Sequence, residues 1–305
     1  MKKLSLVLIL GMLLGLTACG GETTQDETKG ATDAQTESSV DNVENTEDEQ
    51  ADTDEDDKDL VSSVAENFTY TEENGEITIT GYEGEATVLE IPDSINGMPV
   101  VAIGENAFAN TEGIEEVILP DSVVLIGKKA FEGCSNLNKV TFGVNLEVID
   151  GGAFWRTALE SVEFPDTVHT IGSYAFCGTN IKEVTIPSQV TVITGSSFAL
   201  TQVEELVIPA SVTTIEKQAF EGNLSLRTIV VEEGVEVIEE EAFANCTMVE
   251  SITFPTTLTE LDERVVSGSG SDGRMVYLYV PAGSVAESVL TTKYPDSKYY
   301  EVVTQ

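Results

Sequence analysis

The chain has 305 residues and carries 54 acidic against 15 basic side chains, a formal net charge of −39 with an isoelectric point near 4.1. Nucleic acid and anionic lipid surfaces are poor partners for such a charge. The single histidine, His169, supplies neither a zinc site nor a catalytic triad.

Lys2 and Lys3 precede an apolar run from Leu4 to Leu14 that is too short to span a bilayer comfortably. The stretch "LTAC", Leu16 to Cys19, resembles the lipobox of bacterial lipoproteins. The resemblance implies a signal peptide over 1–18 and a mature first residue, Cys19, joined to diacylglycerol and usually N-acylated. More than one acyl chain on one residue suffices for stable membrane anchoring. Residues 19–66 then read as a lipidated acidic tether. Gly20 to Glu66 holds 17 acids, two lysines and one aliphatic cluster at its end, Leu60, Val61 and Val64. It cannot bury enough apolar surface to offset its ordering entropy, which predicts disorder and an end-to-end reach of about 40 Å. Its "EDEQADTDEDDKD" run lacks the turn-forming glycine of a calcium loop.

Residues 67–101 begin with "FTYTEENGEITIT", an alternating pattern around Asn74-Gly75 that predicts a hairpin, followed by a first repeat. From 102 to 262 the chain repeats every 22 or 23 residues. Phenylalanines stand at 108, 131, 154, 176, 198, 220 and 243, each after an alanine except Phe198, which follows Ser197. Every unit opens on an aliphatic, such as Ile126 or Ile149, and holds a strand-like pair such as Val117/Leu119 or Leu206/Ile208. The one-residue variation falls between the phenylalanine and the next leucine-like position, so one corner of each coil tolerates an extra residue. No unit of this length can bury its own apolar face; stacking does it, each inward side chain contributing about 1.5–3 kcal/mol. Nine such pairs, counting Leu89/Ile91 and Leu278/Val280, at ~4.8 Å spacing predict one parallel sheet about 43 Å long. The fold class is therefore a β-rich solenoid with caps. Residues 263–305 form the C-terminal cap: Val265-Val266 replace Ala-Phe, "SGSGSDG" is a loop, and Ser284 to Lys293 predicts a short helix capped by Ser284.

The motif "IGKKAFEGCSNLNKVTF" (126–142), with "LPDSVVLIG" (119–127), "IPSQVTVIT" (186–194) and "IPASVTTIE" (208–216), resembles the BspA-like leucine-rich repeats of bacterial surface proteins. "IPDSINGMPVVAIG" (91–104) resembles the longer opening repeat of that family. The resemblance implies a leucine-rich-repeat array, and adhesins or protein-binding surface proteins as its relatives. Glu232 and Gly143 depart from the proline usual at their position.

Chemistry is sparse. Cys134 and Cys246 lie three residues after their phenylalanines, where other units carry Thr111, Thr157, Thr179, Thr201 and Asn223. This reads as a ladder of small residues hydrogen-bonding loop backbone. There is no nucleophile elbow, phosphate loop or zinc-binding H-E-x-x-H, so neither an enzyme nor a cofactor or metal is expected. Function falls to the outward residues of the sheet. Glu163, Glu183, Glu205, Val207 and Val230 form the candidate protein-binding face, an acidic centre beside a small apolar spot. The expected partner is a host-matrix or cell-envelope protein, met in an adhesive role at the cell surface outside the membrane. The competing readings are an envelope lipoprotein acting as spacer or scaffold, and a solute binder, which the missing cleft disfavours. Strand propensity alone would also place exposed β-branched residues there.

Overall fold

The computed structural model describes residues 61–62, 65–270 and 273–305. Cys19 and nearly all of the acidic tether lie outside them. The described chain winds as a parallel solenoid, each rung passing three faces: a main sheet, a second narrow sheet, and a turn face carrying the phenylalanine column.

The inward residues behave as their spacing requires. All seven phenylalanines of the column are buried, as are Ile103, Ile126, Ile149, Ile171, Ile193, Ile215, Ile238 and Leu261 at the rung openings. Successive column rings stack with centroids 4.9–5.8 Å apart and planes within 21° of parallel. Ser197, which takes the place of alanine before Phe198, is buried with no partner for its hydroxyl.

On the turn face the backbone uses alternate residues differently. The N–H groups of Asn106, Phe108 and Asn110 donate to Lys128, Ala130 and Glu132 of the next rung, while Ala107, Ala109 and Thr111 donate three residues back within their own rung. The switch needs left-handed backbone two residues either side of each phenylalanine. Glycine meets this at Gly152 and Gly133, but Lys129, Arg156, Tyr174 and Leu200 adopt it with φ near +60° as well. From Phe108 N–H on Ala130 to Phe243 N–H on Val265, this ladder runs unbroken at 2.8–3.0 Å.

The main sheet is not the single continuous sheet expected. One part joins Val61–Ser62, Val88–Glu90, Glu116–Ile118 and Lys139–Thr141; the other joins Glu205–Ile208, Thr228–Val231, Ser251–Thr253, Val276–Val280 and Tyr300–Thr304. Between them 161–164 and 183–186 are not strands. Corner length explains the interruption. In the column rungs that begin at Phe131, Phe220 and Phe243, six residues separate the phenylalanine from the leucine-like position, and a turn closes between them, as in Leu137 N–H to the Cys134 carbonyl at 3.1 Å. Strand pairing with the preceding rung follows each of these corners. Rungs beginning at Phe154, Phe176 and Phe198 have one residue fewer and lack that turn, and no strand pairs across them. Stacked Phe142 and Phe164, 6.1 Å between centroids, are also wider apart than the ~4.8 Å of paired strands.

The caps hold three further differences. Val61–Ser62 pairs in parallel with Val88–Glu90, inside the segment assigned to the tether, because Val88–Glu90 otherwise offers an open sheet edge. The expected hairpin Phe68–Glu73/Glu76–Tyr82 forms, and a second, smaller hairpin joins Ser94–Ile95 to Met98–Ile103. Both turn on Asn-Gly with two positive φ values, at Asn74-Gly75 and Asn96-Gly97. At the other end the helix Val285–Lys293 is capped by the Ser284 hydroxyl, which accepts from the Glu287 N–H at 3.1 Å. Beyond it Tyr300–Thr304 adds a strand that no sequence pattern had suggested.

Candidate protein-binding face

All five residues of the candidate face are exposed and outward, but they stand on two kinds of backbone. Glu205 and Val207 lie on the strand Glu205–Ile208, paired in register with Thr228 and Val230. Val207 and Val230 are therefore direct neighbours, 51% and 40% exposed, in a protein whose other valines are mostly buried. Glu163 and Glu183 stand on the interrupted rungs, where no ladder joins 139–142 to 161–164 or 183–186 to 205–208. A crevice of about 280 Å³ opens there, bounded by Lys139, Phe142, Val162 and Glu163. The face thus combines a flat, paired half bearing the valines and an open, acidic half.

Positive charge on this side is largely spent on cross-rung pairs: Lys139 with Glu116 at 2.7 Å, Arg227 with Glu250 at 3.2 Å, Lys182 with Glu160 at 3.9 Å. Glu163, Glu183 and Glu205 enter no such pair. Their charge is uncompensated.

The other acidic run, Glu232 to Glu241, has a structural employment. Glu232 accepts from the Ala210 N–H, Glu239 from the Lys217 N–H, and Glu240 pairs with Arg264. Glu233 accepts from the Thr256 N–H and hydroxyl, and those bonds hold its carboxyl below the usual range. These carboxylates clasp one rung to the next. Among the described residues no group of three His, Cys, Asp or Glu is placed to hold a metal ion, and no helix is long and apolar enough to cross a membrane.

The inward ladder of small residues is present from Cys134 onward, Thr111 at its start being only half-buried, and corner length sorts its chemistry. In short corners Thr157 and Thr179 donate to the carbonyl of their own rung's phenylalanine, while Thr201 donates to the Asn223 side-chain oxygen of the next rung. In long corners Cys134, Asn223 and Cys246 reach the phenylalanine carbonyl of the preceding rung, and Ser269 extends the ladder into the loop after the last repeat. Burial pushes the Cys134 thiol up to about 11 and the Cys246 thiol up to about 12, and it raises Cys177. All three remain free thiols packed as small apolar groups. His169 is exposed, its Nδ1 against the Thr170 hydroxyl at 2.9 Å.

Repeating rungs with one inward phenylalanine, inward aliphatic columns and a parallel sheet define a leucine-rich-repeat solenoid. The BspA type leucine rich repeat region matches in six copies, over 101–227 and 213–272. The chain belongs to that family. Solved structures similar to it include the T. pallidum leucine rich repeat protein TpLRR, 22% identical with a TM-score of 0.47, covering 80% of this chain and 99% of that one. A leucine rich cell surface protein from Faecalibacterium prausnitzii A2-165 is 19% identical with a TM-score of 0.45, over 79% of this chain and 94% of its own. The pneumococcal vaccine antigen PcpA is 19% identical with a TM-score of 0.45, over 70% of this chain and 80% of its own. No curated protein sequence matches the chain.

Proposed function

We propose that the chain is a surface-displayed protein-interaction module, anchored by lipid at Cys19, that binds a protein partner in an adhesive role through the main-sheet face. The observation that carries this reading is the Val207–Val230 pair, two exposed apolar neighbours beside uncompensated Glu205 and free of packing duties. Apolar side chains left outward on a rigid face, rimmed by one sign of charge, suit a partner with a basic rim and an apolar contact. Repeat proteins offer such broad faces for recognition, and binding rather than catalysis is the activity they support. Family membership supports a protein-interaction role.

Two experiments test the two halves of the reading. For anchoring, Cys19→Ala is expected to release the chain from membranes or leave it unprocessed. A variant that fractionates like the natural chain, together with no uptake of labelled acyl chain by that natural chain, would refute it. For recognition, host-matrix and cell-envelope extracts are passed over the full chain, and the affinity of any recovered protein is measured against salt. Affinity should fall as the Debye length shortens towards about 8 Å at physiological ionic strength and below. Binding indifferent to salt would remove the acidic face from the account.

A further inference from the structure

Trp155 is the chain's single tryptophan and follows Phe154, third in the column, on the turn face, away from the main sheet. Beside it, a recess of about 390 Å³ is lined by Lys128, Lys129, Asp150, Gly152, Ser173 and Tyr174. The recess has a visible structural origin. Residues two before each column phenylalanine form a row that reads Asn106, Lys129, Gly152, Tyr174, Ser196, Gln218 and Glu241, all with left-handed backbone and, Gly152 and Ser196 apart, half-buried or exposed. Gly152 is the gap in that row. A Cβ there would come within 3.3 Å of Lys129 Cγ and 3.9 Å of Trp155 Cβ, so glycine keeps the recess open between Lys129 and Tyr174.

The lining is amphipathic. Trp155 and Tyr174 stand 5.9 Å apart at 45°, and Tyr174 is 46% exposed. The Lys129 ammonium lies 5.5 Å and the Arg156 guanidinium 4.8 Å from the Trp155 ring centre. Lys129 is paired with Glu132 at 2.9 Å, whereas Lys128 and Arg156 enter no ion pair. In a chain with more than three acids for each base, the lining cation Lys128 has no ion-pair partner among the described residues and leaves a place beside the aromatic rings for a carboxylate supplied from outside. Asp150 and Ser173 add an acceptor and a hydroxyl at the rim. Aromatic rings offer an apolar surface to ring C–H groups, and fixed polar groups give orientation.

We propose that this recess binds a saccharide carrying a carboxylate, of the sialic or uronic acid type. The sugar ring lies against Trp155 and Tyr174, its carboxylate meets Lys128, and its hydroxyls reach Asp150 and Ser173. The site is separate from the sheet face and stands or falls without it.

Trp155 reports on the recess directly, because all tryptophan emission comes from it. The full chain is titrated with N-acetylneuraminic acid and glucuronic acid, with N-acetylglucosamine and glucose as neutral counterparts and inorganic phosphate as a free anion. A saturable emission change with at least one acidic sugar is expected, and none with the neutral sugars or phosphate. Gly152→Asn should fill the recess at a smaller backbone cost than other side chains, since Asn106 holds the same left-handed place. Affinity should drop at least about tenfold in that variant, and likewise in Lys128→Gln, with thermal unfolding unchanged. No saturable response to either acidic sugar, an equal response to the neutral sugars or to phosphate, or undiminished binding by the Lys128→Gln chain would overturn the proposal.

Discussion

Phe176→Ala is expected to destabilise the folded chain by about 3–5 kcal/mol, the usual range for truncating a buried phenylalanine. Phe176 is fully buried and stacked between Phe154 and Phe198 at 5.4 and 5.6 Å, with Phe164 edge-on at 5.5 Å. Its position should bring the loss towards the upper end. Neither sheet joins 170–171 to 192–193 or 161–164 to 183–186, so the ring column and the turn-face ladder carry more of the rung contact there, beside the aliphatic columns and single bonds such as Asn180 N–H to the Leu159 carbonyl at 2.9 Å. Denaturant titration measures the change. A loss below ~1 kcal/mol would mean that the column does not hold the middle of the array together.

Asn223→Leu carries the second large effect. The Asn223 amide donates to the Phe198 carbonyl at 2.9 Å and to the Phe220 carbonyl at 2.8 Å, and accepts from the Thr201 hydroxyl, all in a fully buried setting. Leucine has nearly the same shape and can offer none of these bonds. Each buried group left without its partner costs about 1–3 kcal/mol, so the substitution should cost about 2–5 kcal/mol in all. Asn223→Cys should recover part of it, because Cys134 and Cys246 serve the same long corner by donating to the preceding phenylalanine's carbonyl. If Leu and Cys at this position destabilise equally, hydrogen bonding is not what the ladder contributes.

Much of this architecture is legible in the sequence because a stacked repeat multiplies each signal. Ala-Phe recurs six times, and Ser-Phe once, in nearly the same context, so the buried column and its register do not depend on any one residue. The small-residue ladder was readable for the same reason, although its division between own-rung threonine bonds and backward-reaching cysteine or asparagine bonds was not. That division follows corner length, and the corner's geometry is a property of backbone turns that spacing counts without describing. The interrupted sheet has the same origin. The alternation of 22 and 23 was visible in the chain, but its consequence at 161–164 and 183–186 depends on whether a turn closes before the strand. Asn96-Gly97 was a hairpin signal overlooked inside the long first repeat. Tyr300–Thr304 lacked any repeat partner to announce it, and the Trp155 recess depends on the absence of a side chain at Gly152, which no periodicity marks. On the candidate face, the sequence placed Val207 against Val230 correctly, since strand register follows repeat length. Glu163 and Glu183 were placed outward correctly too, but on a continuous strand that the short corners do not allow.

The central claim is that the main-sheet face, not the turns, meets the partner. Two charge-reversed chains decide it in one binding assay against the protein recovered from matrix or envelope extracts. Glu183→Lys/Glu205→Lys alters the sheet face, and Glu105→Lys/Glu221→Lys alters the turn face beside the phenylalanine column. All four residues lie outside the hydrophobic core, so both chains should unfold at nearly the natural temperature. The account predicts that the sheet pair abolishes binding and the turn pair leaves it close to that of the natural chain. Binding lost with the turn pair and kept with the sheet pair would contradict it.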